Sequence, residues 1–127
     1  MIDHLDHIVL TTRDKDACIR FYSGILGMRL EKFSTPTGER LALKFGQQKI
    51  NLHEWGREFD PKAHVPVPGS LDLCFIASAP LEEVIGKLAG AGYGSDHAKS
   101  LQIRQFFSAG SVFSGLRASF SASNSYL

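Results

Sequence analysis

The first half of the chain contains four segments in which apolar residues alternate with polar ones or form a short run. Such patterns are typical of β-strands that bury one or both faces. Turn-forming residues separate the later segments, as in the stretch Thr35–Gly38. The pattern therefore predicts four strands, which are Leu5–Thr12, Met28–Phe33, Arg40–Phe45 and Lys49–Trp55.

A helix is predicted between the first two strands, because apolar residues recur there at steps of three and four positions. Asp14 precedes this stripe and can cap the helix N-terminus. Gly27 follows it, where a left-handed C-terminal cap is expected. The stripe consists of Ala17, Cys18, Phe21, Tyr22, Ile25 and Leu26. The first half of the chain is thus predicted to be a β-α-β-β-β module.

The second half begins with the same order of elements. Leu71–Ala77 is an apolar strand interrupted by one acidic residue, and Pro80 suits the first turn of the helix that follows. Three prolines between the halves predict a connecting loop. We therefore expect one domain over 1–127, with module 1 over 1–56, a linker over 57–69 and module 2 over 70–127.

An internal repeat relates the two modules. Aligning the helix-ending residues Gly27 and Gly92 gives an offset of 65 residues. The same offset carries His7, the polar residue of the first predicted strand, onto Asp72, the polar residue of the fifth. A shift by one residue would pair Asp6 with Asp72 instead, and this alternative stays open. Under the glycine alignment, His7 and Asp72 occupy equivalent positions of a pseudo-twofold arrangement.

Composition narrows the class of protein. The chain has 127 residues, of which 43% are apolar and 21% charged, and its formal net charge is +1. These values are typical of one globular domain and give no reason to expect a nucleic-acid partner. No apolar run is long enough for a membrane span, and the N-terminus lacks the pattern of a signal peptide. Cys18 and Cys74 are expected to be buried reduced thiols, which suits a cytoplasmic protein.

Two stretches of the chain resemble a known superfamily. The first is LDHIVLTTRDKDACIRFYSGILGM at the N-terminus, and the second is FGQQKINLHEWGREFDPKAHVPVPGSLDLCFI. Both are similar to sequences of the vicinal oxygen chelate superfamily, which includes glyoxalase I, bleomycin-resistance proteins and extradiol dioxygenases. Within it, the likeness is to proteins of the glyoxalase domain-containing protein 5 type and their small bacterial relatives. The resemblance implies an α+β fold in which two βαβββ modules surround a cleft.

The resemblance also implies a divalent metal ion, held by side chains from the first and last strands of each module. Carried onto this sequence, the candidate ligands are His7, His53 and Asp72. Asn51 shares the strand face of His53 because side chains alternate along a strand, and it is a candidate for ligand binding. Glu54 has the opposite parity and is ranked below His53.

The chemistry of such a site is consistent with these residue types. Two imidazoles and one carboxylate form a ligand set with open positions, which suits zinc, nickel, manganese or iron. Open positions allow adjacent oxygens of a substrate to bind, and the metal stabilises negative charge that develops on them. A histidine in a strand is also compatible with a hydrogen-bonded core residue, and this alternative stays open.

The C-terminal segment departs from the superfamily pattern. The family places a fourth ligand, usually glutamate, in the last strand of the second module. The offset of 65 carries the candidates of the fourth predicted strand to Leu116 and Ala118, which have no ligating side chain. No acidic residue follows Asp96, and the sequence diverges from about residue 95.

Two explanations of this segment remain open. It could form divergent strands at 101–107, 111–116 and 118–122. It could instead reflect a reading frame or splice choice that differs from that of its relatives. In either case a glyoxalase-type isomerisation is the least favoured reaction, because the glutamate that carries the proton is missing.

Three functions are weighed on this basis. The first is a metal-dependent lyase, isomerase or dioxygenase acting on a small substrate with vicinal oxygens. The second is a metal-free binding module of the bleomycin-resistance kind, in which Phe45, Trp55 and Phe75 hold a small molecule. The third is an inactive relic. By resemblance, the protein is expected to be a homodimer with a small-molecule substrate and neither a nucleic-acid nor a membrane partner.

Overall fold

The structure is a computed structural model, and it describes residues 1–93, 101–108 and 111–121. These residues divide into two compact units. The first comprises Met1–Ser70, and the second begins at Leu71.

The first unit has the predicted order of elements, β-α-β-β-β. The elements are β1 His7–Thr12, α1 Lys15–Ile19 with its continuation Arg20–Ile25, β2 Arg29–Thr35, β3 Gly38–Phe45 and β4 Gln48–Glu54. The continuation of α1 is a wider, π-helical segment. The sheet order is β1-β4-β3-β2, with β1 parallel to β4 and the other neighbours antiparallel.

Local hydrogen bonds explain why the helix begins and ends where it does. Asp14 Oδ1 accepts a hydrogen bond from the Ala17 N–H at 2.8 Å, as predicted for an N-cap. Thr12 Oγ1 accepts one from the Asp14 N–H at 3.0 Å and holds the cap against the end of β1. The chain then leaves the helix through Gly27, whose φ of +77° is accessible mainly to glycine.

One face of the four-stranded sheet is apolar and lies against the helix. The position of the helix is marked by Cys18 of α1, whose side chain forms a hydrogen bond with Thr12 on this face. The buried apolar residues of this face are Leu10, Leu41, Leu43, Ile50 and Leu52. Burial of these side chains supplies the main driving force for folding the first unit.

The opposite face carries most of the polar side chains of the sheet, and we call it the polar face. Its members follow from the register, because His7 pairs with Lys49, Thr11 with His53 and Ala42 with Asn51. Paired residues point to the same side of a sheet, and side chains alternate along each strand. In the three adjacent strands β1, β4 and β3, the polar face consists of His7, Val9 and Thr11 of β1, Lys49, Asn51 and His53 of β4, and Arg40, Ala42 and Lys44 of β3.

The second unit is a shorter version of the first. Its elements are β5 Asp72–Leu73, α2 Leu81–Gly90, β6 Leu101–Ser108 and β7 Ser111–Ser121. Pro80 lies at the N-cap of α2, close to the predicted first turn. The described sheet has three strands in the order β5-β7-β6, compared with four in the first unit, so the second module is incomplete over the described residues.

Three predicted strands of this unit were wrong in extent. The apolar run Leu71–Ala77 forms a strand only at Asp72–Leu73, because β7 pairs with those two residues alone. The two strands predicted over 111–116 and 118–122 are a single strand, Ser111–Ser121, and residue 122 lies outside the described residues.

The offset of 65 residues matches features of both units. β1 begins at His7 and β5 begins at Asp72. Gly27 and Gly92 have nearly the same positive φ, +77° and +84°. The residues aligned from the sequence thus occupy corresponding points of the two modules.

Two further expectations can be compared with the described residues. Cys18 is buried as expected, but Cys74 is exposed, and neither forms a disulfide. Among residues 1–93 and the two C-terminal strands, no helix has the length and apolar character needed to cross a membrane.

Candidate functional site

His7 lies at the start of β1, and its side chain is 43% exposed rather than buried inside the strand. Its Nδ1 donates a hydrogen bond to Asp6 Oδ2 at 2.7 Å. Lys49, opposite His7 in β4, places its Nζ 3.6 Å from the same oxygen. The hydrogen bond with His7, followed by the charge of Lys49, lowers the pKa of Asp6. A proton on Nδ1 leaves the Nε2 lone pair available, which is the arrangement of a histidine that ligates a metal.

Asn51 occupies the middle of the polar face. It lies opposite Val9 on one side and Ala42 on the other, and its side chain is half-buried. Its amide offers both a donor and an acceptor to a molecule on this face. On the polar face of β4, Asn51 lies between Lys49 and His53.

His53 is the most deeply buried polar side chain of this face, with 2% of its surface exposed. Its ring lies against that of Phe59, with 4.0 Å between the ring centroids. Within the described part of the chain, His53 Nδ1 is buried and has no hydrogen-bond partner. Burial lowers the pKa of His53, opposed by the nearby charge of Glu58 and assisted by that of Arg40. The imidazole is therefore neutral at physiological pH.

Arg40 lies beside His53 across the sheet, because the neighbouring residues Leu41 and Leu52 are paired. Its guanidinium carbon is 4.1 Å from the centroid of the Phe59 ring. Arg40 Nε is buried and, among the described residues, has no hydrogen-bond partner. We call Arg40, His53 and Phe59 the Phe59 cluster.

The unpartnered nitrogens of the Phe59 cluster are costly to the fold. Leaving a buried donor or acceptor unsatisfied costs about 1–3 kcal/mol for each group. Most buried polar groups in proteins have a partner, so two exceptions under one aromatic ring call for an explanation. A ligand that supplies oxygen atoms would satisfy both nitrogens.

The sequence predicted that His7 and His53 ligate one ion. The pairing of β1 with β4 determines how far apart the two residues lie along the strands. Both side chains belong to the polar face, but Thr11, four residues beyond His7, is the residue opposite His53. At about 3.3 Å per residue, this separates the two histidines by about 13 Å along the strands. A histidine nitrogen binds a metal at about 2 Å, so both side chains would have to lean toward each other to share an ion, and their ligation of one ion stays a prediction.

The third predicted ligand, Asp72, lies in the second unit. It is the first residue of β5, is exposed, and pairs with Ser121 of β7. Among the residues that the structure describes, no group of three or more His, Cys, Asp or Glu side chains could hold a metal ion. The role of Asp72 as a ligand stays a prediction.

The aromatic candidates for ligand binding lie in different environments. Phe45 ends β3 and, by its parity, is on the apolar side of the sheet. Trp55 follows β4, is 51% exposed, and has the guanidinium carbon of Arg13 at 4.1 Å from its ring centroid. Phe75 lies beyond the end of β5 in the second unit and is half-buried.

Three functional candidates were missed by sequence reasoning. Asp6 adjoins His7 in the sequence, and a carboxylate beside a candidate ligand is a detectable signal. Arg40 lies on the same face of β3 as Ala42, opposite to Leu41 and Leu43. The alternation of apolar and polar residues in this strand could therefore have placed Arg40 on the polar face. Phe59 lies in the segment after β4, and no local pattern indicates that its ring covers the sheet.

The sequence between residues 4 and 94 matches the family model of the Glyoxalase/Bleomycin resistance protein/Dioxygenase superfamily. The chain belongs to this superfamily. The match includes the whole first module, its polar face and the Phe59 cluster. It confirms the family resemblance and the glyoxalase-like fold class expected from the sequence.

Two curated relatives are similar to this chain. Virulence protein STM3117 of Salmonella typhimurium is 49% identical over 92 residues, which are 72% of this chain and 62% of that protein. Glyoxalase domain-containing protein RDO1 of Mycosarcoma maydis is 56% identical over 72 residues, which are 57% of this chain and 39% of that protein. The matched part of the chain thus spans less than two thirds of either relative.

Solved structures show the same fold. The crystal structure of STM3117 matches with a TM-score of 0.65 and 38% identity, covering 94% of this chain and 86% of that one. The integron cassette protein VCH_CASS1 of V. cholerae matches with a TM-score of 0.67 and 38% identity, covering 94% and 85%.

Proposed function

We propose that this protein is a divalent-metal-dependent enzyme of the lyase, isomerase or dioxygenase type that acts on a small substrate with vicinal oxygens. The observation that supports this is the pair of His7 and Asp6. The Nδ1–Oδ2 hydrogen bond of 2.7 Å orients the ring, and in the tautomer that donates from Nδ1 a metal would bind at Nε2. Histidines that ligate metals usually donate their other ring nitrogen to a carboxylate in this way.

The resemblance implies His7 and Asp72 as donors for the metal, and His7 is the one whose side chain the structure describes together with a supporting carboxylate. A bound divalent ion would supply Lewis-acid stabilisation of negative charge on a substrate oxygen. Asp6 keeps the His7 proton on Nδ1 and thereby keeps Nε2 as the donor atom. The hydrogen bond with His7, followed by the charge of Lys49 Nζ at 3.6 Å, lowers the pKa of the Asp6 carboxyl group.

The polar face of the four-stranded sheet would bind the organic part of the substrate. Asn51 lies between the level of His7 and that of His53, and its amide can bond to a hydroxyl or carbonyl group. The buried, neutral His53 lies at one end of this face. The substrate would thus lie along β4, with its adjacent oxygens near His7.

Metal content tests this proposal. The purified protein and the variants His7→Ala and Asp72→Ala are loaded with zinc, nickel, manganese or iron, desalted and measured by mass spectrometry. We expect about one ion per chain in the parent protein and loss of that ion in both variants. His64→Ala is the matched control, because His64 is an exposed histidine in the segment after β4. A parent protein without metal, or His7→Ala with the full ion content, would contradict the proposal.

A second function is supported by a separate observation. Among the described residues, the Phe59 cluster offers two buried nitrogens without hydrogen-bond partners. These features favour a metal-free module that binds a small molecule, with Asn51 and the exposed Trp55 as further contacts. A folded protein that contains no metal and binds a small molecule equally well after treatment with a chelator would support this function. A chain that binds neither a metal nor a small molecule would be an inactive relic.

The expected assembly and location also stay proposals. We propose a homodimer in the cytoplasm, by analogy with the superfamily. Light scattering after size-exclusion chromatography measures the mass of the assembly, and a monomer at micromolar concentration would contradict it. Fractionation of cells that express the intact protein tests its location.

A further inference from the structure

We infer that the Phe59 cluster is a binding site for a carboxylate group on a small molecule, with Arg40 and His53 as the donors. This site lies apart from His7 on the polar face. It deepens the proposed function, because it rests on a small molecule occupying that face, but it requires no metal ion.

The first observation is the pairing state of Arg40. The described residues supply no carboxylate within ion-pairing distance of its guanidinium and no acceptor for its buried Nε. Glu58, an acidic residue of the segment after β4, is engaged elsewhere. Its Oε1 accepts a hydrogen bond from the Gly56 N–H at 2.9 Å, and its Oε2 lies 3.8 Å from Lys62 Nζ.

The second observation is the unpartnered Nδ1 of His53, a side chain with only 2% of its surface exposed. Neutral imidazole carries its proton on either ring nitrogen, and an oxygen anion favours the form with the proton on Nδ1. A carboxylate has two oxygens and can therefore accept one hydrogen bond from Arg40 and one from His53. The planar fork of the guanidinium suits a carboxylate better than it suits a single carbonyl oxygen.

The third observation concerns Phe59, whose ring contacts both donors, at 4.0 Å from the His53 ring centroid and 4.1 Å from the Arg40 guanidinium carbon. Phe59 lies in the segment after β4 and not in a strand, so its ring can move without breaking a sheet hydrogen bond. The ring packs against the His53 ring and the Arg40 guanidinium. A carboxylate ligand would displace it and bring its own apolar part against the same surface.

Benzoate is a suitable probe, because it joins a carboxylate to a planar apolar ring, and benzamide is its uncharged analogue. Binding is followed by ¹⁵N–¹H spectra in buffer from which metal ions have been removed by a resin. We expect saturable shifts with benzoate, including the Arg40 Nε–H signal, and at least about tenfold weaker binding of benzamide, which corresponds to about 1.4 kcal/mol.

Four variants identify the site. Arg40→Gln should weaken benzoate binding at least about tenfold, and His53→Phe about fivefold, because it keeps a ring but removes the donor. Phe59→Ala should bind benzoate at least as tightly as the parent protein. Arg57→Gln is the matched control, since Arg57 is an exposed arginine whose pair with Glu54 is at 3.9 Å, and it should bind as the parent does.

Three results would overturn the inference: equal affinity for benzoate and benzamide, unchanged binding in folded Arg40→Gln, or no saturable shift in the parent protein. Thermal unfolding and the dispersion of the spectra establish that each variant is folded. Because no metal is present, failure here leaves the metal content expected of His7 and Asp72 unaffected, and the two proposals fail separately.

Discussion

Thr11 of β1 lies directly opposite His53 of β4 in the parallel strand pair. This register places His53 at one end of the polar face and His7 at the other, next to Lys49. Two histidines that the sequence suggests as partners therefore have different neighbours and different chemistry. His7 is exposed and oriented by Asp6, whereas His53 is buried beneath Phe59.

The first prediction concerns Asp6 as a positioning residue. Asp6→Asn should weaken divalent-metal binding by about 10–100-fold, because the carboxylate that orients His7 is replaced by a weaker acceptor. Competition with a chromogenic chelator measures the metal dissociation constant. Asp3→Asn is the matched control, since Asp3 makes the same kind of pair with His4, outside the strand. Equal affinity in Asp6→Asn and the parent protein would show that this hydrogen bond does not serve a metal site.

The second prediction is a pH dependence of stability that arises at His53. Burial lowers the pKa of His53 in the folded protein below its ordinary value of 6.5. At pH values just below 6.5 the unfolded chain therefore binds a proton that the folded chain does not bind. The contribution of neutral His53 to the free energy of unfolding is fully present above pH 6.5 and is lost as the pH falls toward the pKa of His53 in the folded protein. Thermal unfolding between about pH 7.5 and 5.5 measures this loss.

His53→Gln separates this contribution from that of other groups. Glutamine keeps a polar side chain at the position but does not titrate, so the melting temperature of the variant should change less over this range. Asp6 and Glu58 also have lowered pKa values, but their ordinary values are 3.8 and 4.5, so their contribution is lost at lower pH. A variant with the same pH slope as the parent would assign the slope to another group.

The fold of the first module could be predicted because its signals are local. The Asp14 cap, the apolar helical stripe and the position of Gly27 each act within a few residues, and each has its expected role. The extent of the strands in the second unit could not be predicted in this way. Leu71–Ala77 is apolar throughout most of its length, but strand formation requires a partner, and β7 pairs with only two of its residues.

The candidate site was predictable only in part for the same reason. Alternation correctly places Asn51 and His53 on one face of β4. The distance between His7 and His53 depends on which residues of β1 and β4 are paired, and no local pattern sets that register. The cover over His53 comes from Phe59, in a segment without strand or helix periodicity, so its contact is a property of the folded chain alone.

The third prediction concerns the two cysteines. Cys74 is exposed and Cys18 is buried, with 1% of its surface exposed. Burial also raises the pKa of Cys18 and so reduces its thiolate fraction. A thiol-reactive chromophore should therefore modify Cys74 in the native protein, and Cys18 on the order of 100-fold more slowly, through opening of the structure. In Cys74→Ser, rapid labelling should be absent until denaturant is added, and two equally fast thiols in the native parent would contradict the placement of Cys18.

The last prediction concerns the helix cap that joins β1 to α1. Asp14→Ala should lower the free energy of unfolding by about 1 kcal/mol, because the hydrogen bond from the Ala17 N–H at 2.8 Å is lost. Asp14→Asn keeps an oxygen acceptor and should lose less. Asp16→Ala is the matched control, since Asp16 lies in the same first turn but makes no capping bond, and its removal affects only the interaction with the helix dipole. Urea denaturation gives the three free energies, and the cap has the predicted role only if Asp14→Ala is the least stable of the three variants.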